Sequence, residues 1–551
     1  MLVADPGSGF EDSRTLVTRY RERGSKMFDV LIRGGTIIDG TGNVGFKGDI
    51  AIEKDRLKIL VGETSSVPAT NIIDASGCIV TPGFIDVHTH SDLIALSEPL
   101  NEPKIRQGVT TDMLGLDGLG YAPLSKKNLE MILRHYSGVN GYPKLDYNWS
   151  SITEYLQHFH QKTSINVAYL IPNSCLRVET VGWEERPATK KEIKAMQEMI
   201  RQGMAEGAVG LSTGLAYPPG VYASTEELVA LCQTVAECGG VHVTHVRYDL
   251  GDGAYDGFRE AVEIGARSGC PVHFSHYATN IITRGQTAKL LEIVDMARDD
   301  GIDLTFDSYP WEAGSTTMHI AVPMWAHSGG PHELLQRLKN KDDRSKMHGK
   351  STKAVGSVDK MVISAVRTEK NKWCEGLTVA AVADRLNKDP WDTMCDLMIE
   401  EELEVAFYCF TGDMNDVKVI MTHPAHMFIT DGLRIGGMPN PRTYGTYPKI
   451  LGQLVRDEKV LTMEQAIRKM TSFPAQRFGL AGRGILRDNM KADIVVFNPV
   501  TVDSLATFAN PKQFPSGIEY VFVNGKMVVE KGKHTGALPG EPLAMRGYVG
   551  G

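Results

Sequence analysis

Between Phe84 and Asp431 short apolar runs alternate with helical segments, and this rhythm restricts the chain to few folds. Strands are expected at Phe84–Val87, Thr110–Leu116, Asn166–Ile171, Val209–Leu215, Val241–Val246, Pro271–His276, Asp303–Tyr309 and Met427–Asp431. Helices are expected at Pro103–Gln107, Ile152–His160, Lys190–Glu206, Thr225–Glu237, Gly257–Arg267, Gln286–Asp300 and Met463–Met470. Eight buried strands separated by helices predict an α/β fold, a (β/α)8 TIM barrel. The stretch from about Trp311 to Val382 breaks the rhythm. It is charged and lysine-rich (Lys339, Lys341, Lys346, Lys350, Lys353), so it reads as an inserted lid at about 311–382.

The two ends of the chain follow another pattern. From Met27 to about Thr81 short strands succeed one another: Asp29–Arg33, Thr36–Ile38, Asp49–Ile52, Lys58–Val61, Asn71–Asp74 and Cys78–Val80. Arg33-Gly34-Gly35 and Asp39-Gly40 read as tight turns between them. Strand patterns return at Ala492–Phe497, Ile518–Val523 and Lys526–Glu530, and Asn524-Gly525 is a strong hairpin signal. Domain termini often lie close together, so the two half-modules are expected to pair into one small composite β-sandwich. The expected division is 27–82 plus 483–547 for the sandwich and 83–482 for the barrel. Residues 1–26 are polar, lack a sustained apolar period, and are expected to be a disordered extension.

The chemistry concentrates where the expected strands end, the functional face of such a barrel. Thr81–Asp92 reads Thr-Pro-Gly-Phe-Ile-Asp-Val-His-Thr-His-Ser-Asp. His88 and His90 are two residues apart at a strand tip, so their imidazoles point the same way and form half of a divalent-metal site. The next tips supply Asp117, His245, His276 and Asp431. A single histidine at a strand end is more often structural. Four histidines and two aspartates at the tips of one barrel can hold one or two divalent ions.

Bulk properties exclude several other classes. The 551 residues carry a net charge of −8, which argues against nucleic acid and anionic membranes as partners. No apolar run reaches the roughly 18 residues of a membrane span. The eight cysteines are scattered and none forms a CxxC, so buried free thiols are expected rather than a disulfide framework. The N-terminus shows no basic-then-apolar signal pattern, and a cytoplasmic location is expected.

These motifs together resemble the amidohydrolase superfamily, and more closely the D-aminoacylases (N-acyl-D-amino-acid deacylases). The matching residues are Pro82–Asp86 with His88-Thr89-His90-Ser91-Asp92; Gly210–Leu215 with Tyr217 to Gly220; Val243–Arg247; Asp307-Ser308-Tyr309-Pro310 with Ala313–Thr316; Asp431-Gly432; Pro441-Arg442 with Tyr444–Thr446; and Thr471 to Phe478. The resemblance implies hydrolysis of the amide bond of small N-acyl-D-amino acids. It implies a divalent metal, zinc foremost and Mn or Co as alternatives, held as one or two ions. His245 and His276 would bind the tighter ion, and His88 and His90 would frame the second. Asp431 would be the general base, while Tyr309 and Arg442, with Ser315 nearby, would hold the substrate carboxylate.

Two positions depart from the family pattern. The family usually places a cysteine ligand after the second strand, where this chain has Asp117, a harder ligand that favours Mn or Co relative to zinc. A lysine often follows the histidine of the sixth strand, where this chain has Tyr277-Ala278-Thr279. Two other readings compete. Cyclic-amide hydrolases of the superfamily often bridge their metals with a lysine after the fourth strand, and Gly210–Gly220 contains none. A non-catalytic scaffold with the same fold would have lost the ligands this chain retains.

Overall fold

The computed structural model describes residues 27–544 apart from 63, 251–254 and 351–355. The extension expected at 1–26 lies outside the described residues. The fold is mixed α/β. Parallel strands form a six-stranded sheet in the spatial order Ile171–Pro172, Gly210–Gly214, Val241–His245, Val272–Phe274, Leu304–Ser308 and His426–Phe428. A second parallel sheet orders Phe84–Asp86, Val109–Leu114 and Asn166–Tyr169.

Hydrogen bonds link the two sheets at both edges. Asn166–Tyr169 runs on into Ile171–Pro172, with the Leu170 amide donating to the Leu114 carbonyl at 3.0 Å and the Val209 amide to that of Tyr169 at 2.9 Å. At the other edge the Asp431 amide donates to the His88 carbonyl at 2.8 Å and the His90 amide to that of Gly432 at 3.2 Å.

Helices lie between the strands, and their ends follow from local sequence. Lys190–Ala205 starts at Thr189, whose side chain and Glu192 form a reciprocal capping box. Thr225–Glu237 is capped by Ser224. Helices also form at Lys126–His135, Asn173–Thr180, Met414–Thr422 and Arg442–Lys449, where no helix is expected from the sequence. The last of these contains Pro448 and two β-branched threonines, poor helix formers that burial overrides.

Both chain ends enter one nine-stranded sheet. They meet where Ile494–Phe497 pairs antiparallel with Ile79–Pro82. Alternate residues of that strand serve different cores, as a period of two requires. Ile494 and Val496 pack with Val30, Ile32 and Phe522. Val495 and Phe497 pack with Phe84, Val109 and Tyr447, at the base of the parallel strands. The Asn524-Gly525 hairpin is present, joining Ile518–Val523 to Lys526–Glu530 with φ of 49° and 76°. The turn read at Arg33-Gly34-Gly35 is not: Phe28–Ile37 is one strand whose register shifts between Ile32 and Gly35. Gly34 has φ of 78°, so one left-handed residue makes a bulge without reversing the chain.

Between Leu304–Ser308 and His426–Phe428 the chain leaves the parallel pattern. Three antiparallel strands, Ala313–Thr317, Val362–Val366 and Val405–Phe410, form a separate sheet with Val405–Phe410 in the middle. Among the described residues no helix is long and apolar enough to cross a membrane.

Candidate metal centre and active site

Each candidate ligand stands at or just beyond the end of a parallel strand. His88 and His90 follow Phe84–Asp86; His245 ends Val241–His245; His276 follows Val272–Phe274; Asp431 follows His426–Phe428; and Asp117 lies in the turn after Val109–Leu114. Three of them occupy the left-handed region: Asp117 at φ 53°, His276 at 33° and Asp431 at 44°. Such backbone is disfavoured for residues with a side chain and persists where the surroundings impose it, often at functional sites. Gly214 permits the approach of the Asp117 turn, since a side-chain carbon there would sit 1.8 Å from the Asp117 carbonyl oxygen.

Asp117 occupies the centre. Its Oδ2 is 3.3 Å from His88 Nε2, 3.4 Å from His276 Nε2, 3.6 Å from His245 Nδ1 and 3.7 Å from His90 Nε2. His245 Nδ1 and His276 Nε2 are 2.8 Å apart. Asp431 Oδ1 faces His90 Nε2 at 3.4 Å and His88 Nε2 at 3.8 Å, and its Oδ2 pairs with Arg442 Nη2 at 2.9 Å. All are buried except His276, which is partly exposed.

These residues fit a divalent ion. Both ring nitrogens of His88, Nδ1 of His90, Nε2 of His245 and Oδ1 of Asp117 are buried without a hydrogen-bond partner. Donors at about 2.0–2.1 Å from a tetrahedral zinc stand roughly 3.3 Å from one another, the spacing at which several of these atoms already face each other. Two triads, His88 with Asp117 and His276 and His88 with His90 and Asp431, each bring their ligand atoms within 4.8 Å of one another.

The electrostatics are mutual. Burial alone would raise the Asp117 carboxyl, but the His88 and His276 imidazoles hold it well below the usual carboxylate range. Asp431 behaves alike: burial opposes, and Arg442 and His88 prevail in lowering it. Burial works against the charged form of His88, yet Asp117 and Asp307 raise it well above the ordinary histidine range. For His245 burial wins over Asp117, and its imidazole is lowered.

A layer of supporting residues escapes the sequence reading. Asp307 Oδ1 accepts from the His276 amide at 2.5 Å, and its Oδ2 lies 2.9 Å from His273 Nε2 and 3.5 Å from His88 Nδ1. Histidine ligands are commonly oriented by such a carboxylate. Lys104, fully buried, donates to Asp86 and Thr430, which flank the tips carrying His88 and Asp431. Asp307 stands in a motif noted for its resemblance, but nothing in its own spacing marks it as the partner of His88. Thr305 and Asp307, two apart on one strand, both contact His273 on the next, an i, i+2 signal that locates the pair only once strand neighbours are known.

Arg442 opens the Arg442–Lys449 helix and is fully buried. Its guanidinium lies 4.2 Å over the Tyr309 ring, and Nη2 also donates to the Ser315 carbonyl at 3.3 Å. Its Nη1 and Nε have no partner. Burial pushes the Tyr309 phenol up to about 12 against the pull of Arg442, so it stays protonated and a donor. Ser315 Oγ donates to the Phe407 carbonyl at 2.9 Å and so keeps acceptor capacity alone. The structure thus brings Tyr309, Ser315 and Arg442 together beside Asp431. A pocket opens over the cluster, walled by Tyr217, Tyr248, Asn280, Tyr309, Ile320 and Phe407.

Tip histidines and aspartates meeting on a carboxylate are the mark of a metal-dependent hydrolase class, and the comparisons give it a family. The profile of the amidohydrolase family matches residues 71–529. D-aminoacylase of Alcaligenes xylosoxydans xylosoxydans is 34% identical over 94% of this chain and 98% of its own length. N-acyl-D-glutamate deacylase of the same organism is 32% identical over 90% and 93%. The crystal structure of N-acyl-D-glutamate deacylase from Bordetella bronchiseptica, complexed with zinc and a phosphonate inhibitor, is 31% identical, covers 94% of this chain and 100% of that one, and superposes with a TM-score of 0.80. The chain belongs to the amidohydrolase family, and within it to the D-aminoacylase branch.

Proposed function

We propose that this protein hydrolyses the amide bond of N-acyl-D-amino acids, releasing a carboxylate and a free D-amino acid, and that it needs a divalent metal, zinc foremost. The observation that carries the reading is Asp117 Oδ2 within 3.3–3.7 Å of four imidazole nitrogens at the ends of separate strands. Relatives named for this activity match over nearly the whole chain. The two parallel sheets, linked at both edges, are the two parts of a closed (β/α)8 barrel. The same reading divides the chain into the barrel at 83–482, a composite sandwich of 27–82 plus 483–547, and a lid at about 311–382. Eight free cysteines favour a reducing, cytoplasmic location.

His88, His90, Asp117, His245 and His276 hold the metal. Bound there, a divalent ion supplies Lewis-acid activation of water and of the acyl carbonyl. Asp431, kept ionised by Arg442 and His88, accepts the proton of the attacking water and hands it to the departing amine. Arg442 offers its unpartnered Nη1 and Nε, and Tyr309 its hydroxyl, to the substrate carboxylate, which fixes the face of Cα presented to the cluster.

A cyclic-amide substrate is less well supported. The likeness to D-hydantoinase, at 14% identity and a TM-score of 0.53, speaks for the fold alone. The central carboxylate comes from Asp117 and no lysine lies in Gly210–Gly220. The test is a panel of N-acetyl D- and L-amino acids with acidic, basic and apolar side chains, assayed with added Zn, Mn or Co. Turnover of D-substrates abolished by a chelator supports the reading. Hydrolysis of hydantoins but of no linear amide overturns it.

A further inference from the structure

A second group of histidines lies outside the active site. His135 ends the Lys126–His135 helix, while His319 and His327 sit in the short turns Met318–Ala321 and Met324–His327 of the excursion that follows Ala313–Thr317. All three are at least 99% buried. Their ring centroids are 4.5 Å (His135–His319), 5.4 Å (His319–His327) and 5.7 Å (His135–His327) apart. One nitrogen from each lies within 4.8 Å of the others.

Their hydrogen bonds fix what the cluster lacks. His319 Nε2 donates to the His135 carbonyl at 2.8 Å and His327 Nε2 to the Val322 carbonyl at 3.4 Å, because a carbonyl can only accept. Each ring, neutral, is thereby set in the tautomer whose Nδ1 carries a lone pair, and neither Nδ1 has a partner. Neither nitrogen of His135 has a hydrogen-bond partner of good geometry, and the Pro218 carbonyl is the backbone acceptor that acts on its ring. The cluster therefore carries at least two buried, unpartnered acceptors, and an unmet buried polar group costs about 1–3 kcal/mol. One N–H of His135 can satisfy one of them at most. An electrophile between the rings would satisfy all three.

We propose that His135, His319 and His327 form a second metal site, structural rather than catalytic, that takes zinc. Imidazole is a favoured zinc ligand, and ligating histidines commonly donate their other N–H to a backbone carbonyl, as His319 and His327 do. An ion at the middle of the triad stands within about 3 Å of each nitrogen, so modest ring rotation reaches the roughly 2.0–2.1 Å of a zinc–imidazole bond. The ion joins the Lys126–His135 helix to the excursion. Ile320, next to His319, walls the active-site pocket, so the ion steadies one side of that pocket.

The test uses the full-length chain with His88→Asn, His90→Asn, His245→Asn and His276→Asn, which removes the four tip imidazoles and breaks both candidate triads there. The protein is loaded with zinc chloride, desalted, and analysed for metal by mass spectrometry and for folding by circular dichroism. About one zinc per chain is expected, lost when His319→Asn and His327→Asn are added, and zinc should raise the melting temperature of the first variant alone. A folded first variant that retains no zinc overturns the proposal and leaves a buried water to bridge the rings. Zinc retained equally by both variants also overturns it. Should the first variant not fold, the otherwise wild-type chain is compared with its His319→Asn/His327→Asn form. One zinc fewer supports the site, and equal content contradicts it.

Discussion

The strand-tip cluster and the His135–His319–His327 cluster hold similar ligand types in opposite settings. At the tips, Asp117, Asp307 and Asp431 stand among the histidines, and the carboxylates raise His88 despite complete burial. In the second cluster the rings face one another and Trp183, and burial lowers all three. The tips open into a pocket, whereas the second cluster is closed. Identical side chains thus acquire different chemistry from their neighbours. On the reading proposed above, carboxylates and access suit the tips to catalysis, and their absence suits the second cluster to holding structure together.

The first way to break this contrast is Asp431→Asn. The expected loss in kcat is about 10²–10⁴-fold with metal content unchanged, measured by steady-state kinetics beside metal analysis. Wild-type kcat would remove Asp431 from proton transfer and leave the tips no more reactive than the second cluster.

Arg442→Lys comes next. Charge is kept beside Asp431 but the planar donor set is lost, so KM should rise about 10–100-fold with a smaller change in kcat. An unchanged KM would move the substrate carboxylate elsewhere.

Asp117→Cys sharpens the comparison through the metal. A thiolate is the softer ligand, so the ratio of zinc-supported to manganese-supported activity should rise several-fold. The left-handed φ of 53° suits aspartate better than cysteine, so a melting temperature lower by a few degrees should accompany the change. No change in the ratio would take Asp117 out of the coordination sphere.

Thr189→Ala, remote from both clusters, gives the baseline. It removes a capping box and should cost about 1 kcal/mol, read from denaturant unfolding, with metal content and KM unaltered.

The two clusters were unequally legible. The tip residues announce themselves because a strand has a period of two and a direction: once eight strands are read from apolar runs, the residue at each end is named. His88, His90, Asp117, His245, His276 and Asp431 come from that rule alone. Arg442, Tyr309 and Ser315 required the family resemblance, since a lone arginine after a proline carries no local signal. Asp307 and Lys104 act across strands, and pairing across strands is not written in any one segment. His135, His319 and His327 were invisible. One ends a helix that the sequence reading did not expect, and the others lie in the excursion, 184 and 192 residues further along, where no periodicity ties them together. The nine-stranded sheet shows the same limit on a smaller scale. Asn524-Gly525 reads correctly because positive φ at both positions defines that turn, whereas Gly34 shows only that one residue is left-handed, which serves a bulge as well as a turn.

The central claim is that Asp117 shares a divalent ion with the strand-tip histidines. Anomalous diffraction at the zinc edge from a zinc-loaded crystal tests it most directly. The expected result is a peak about 2.0–2.2 Å from an Asp117 oxygen and within bonding distance of imidazoles from at least two strand ends. An Asp117 carboxylate hydrogen-bonded to the histidines, with no metal peak among them at saturating zinc, would contradict the account.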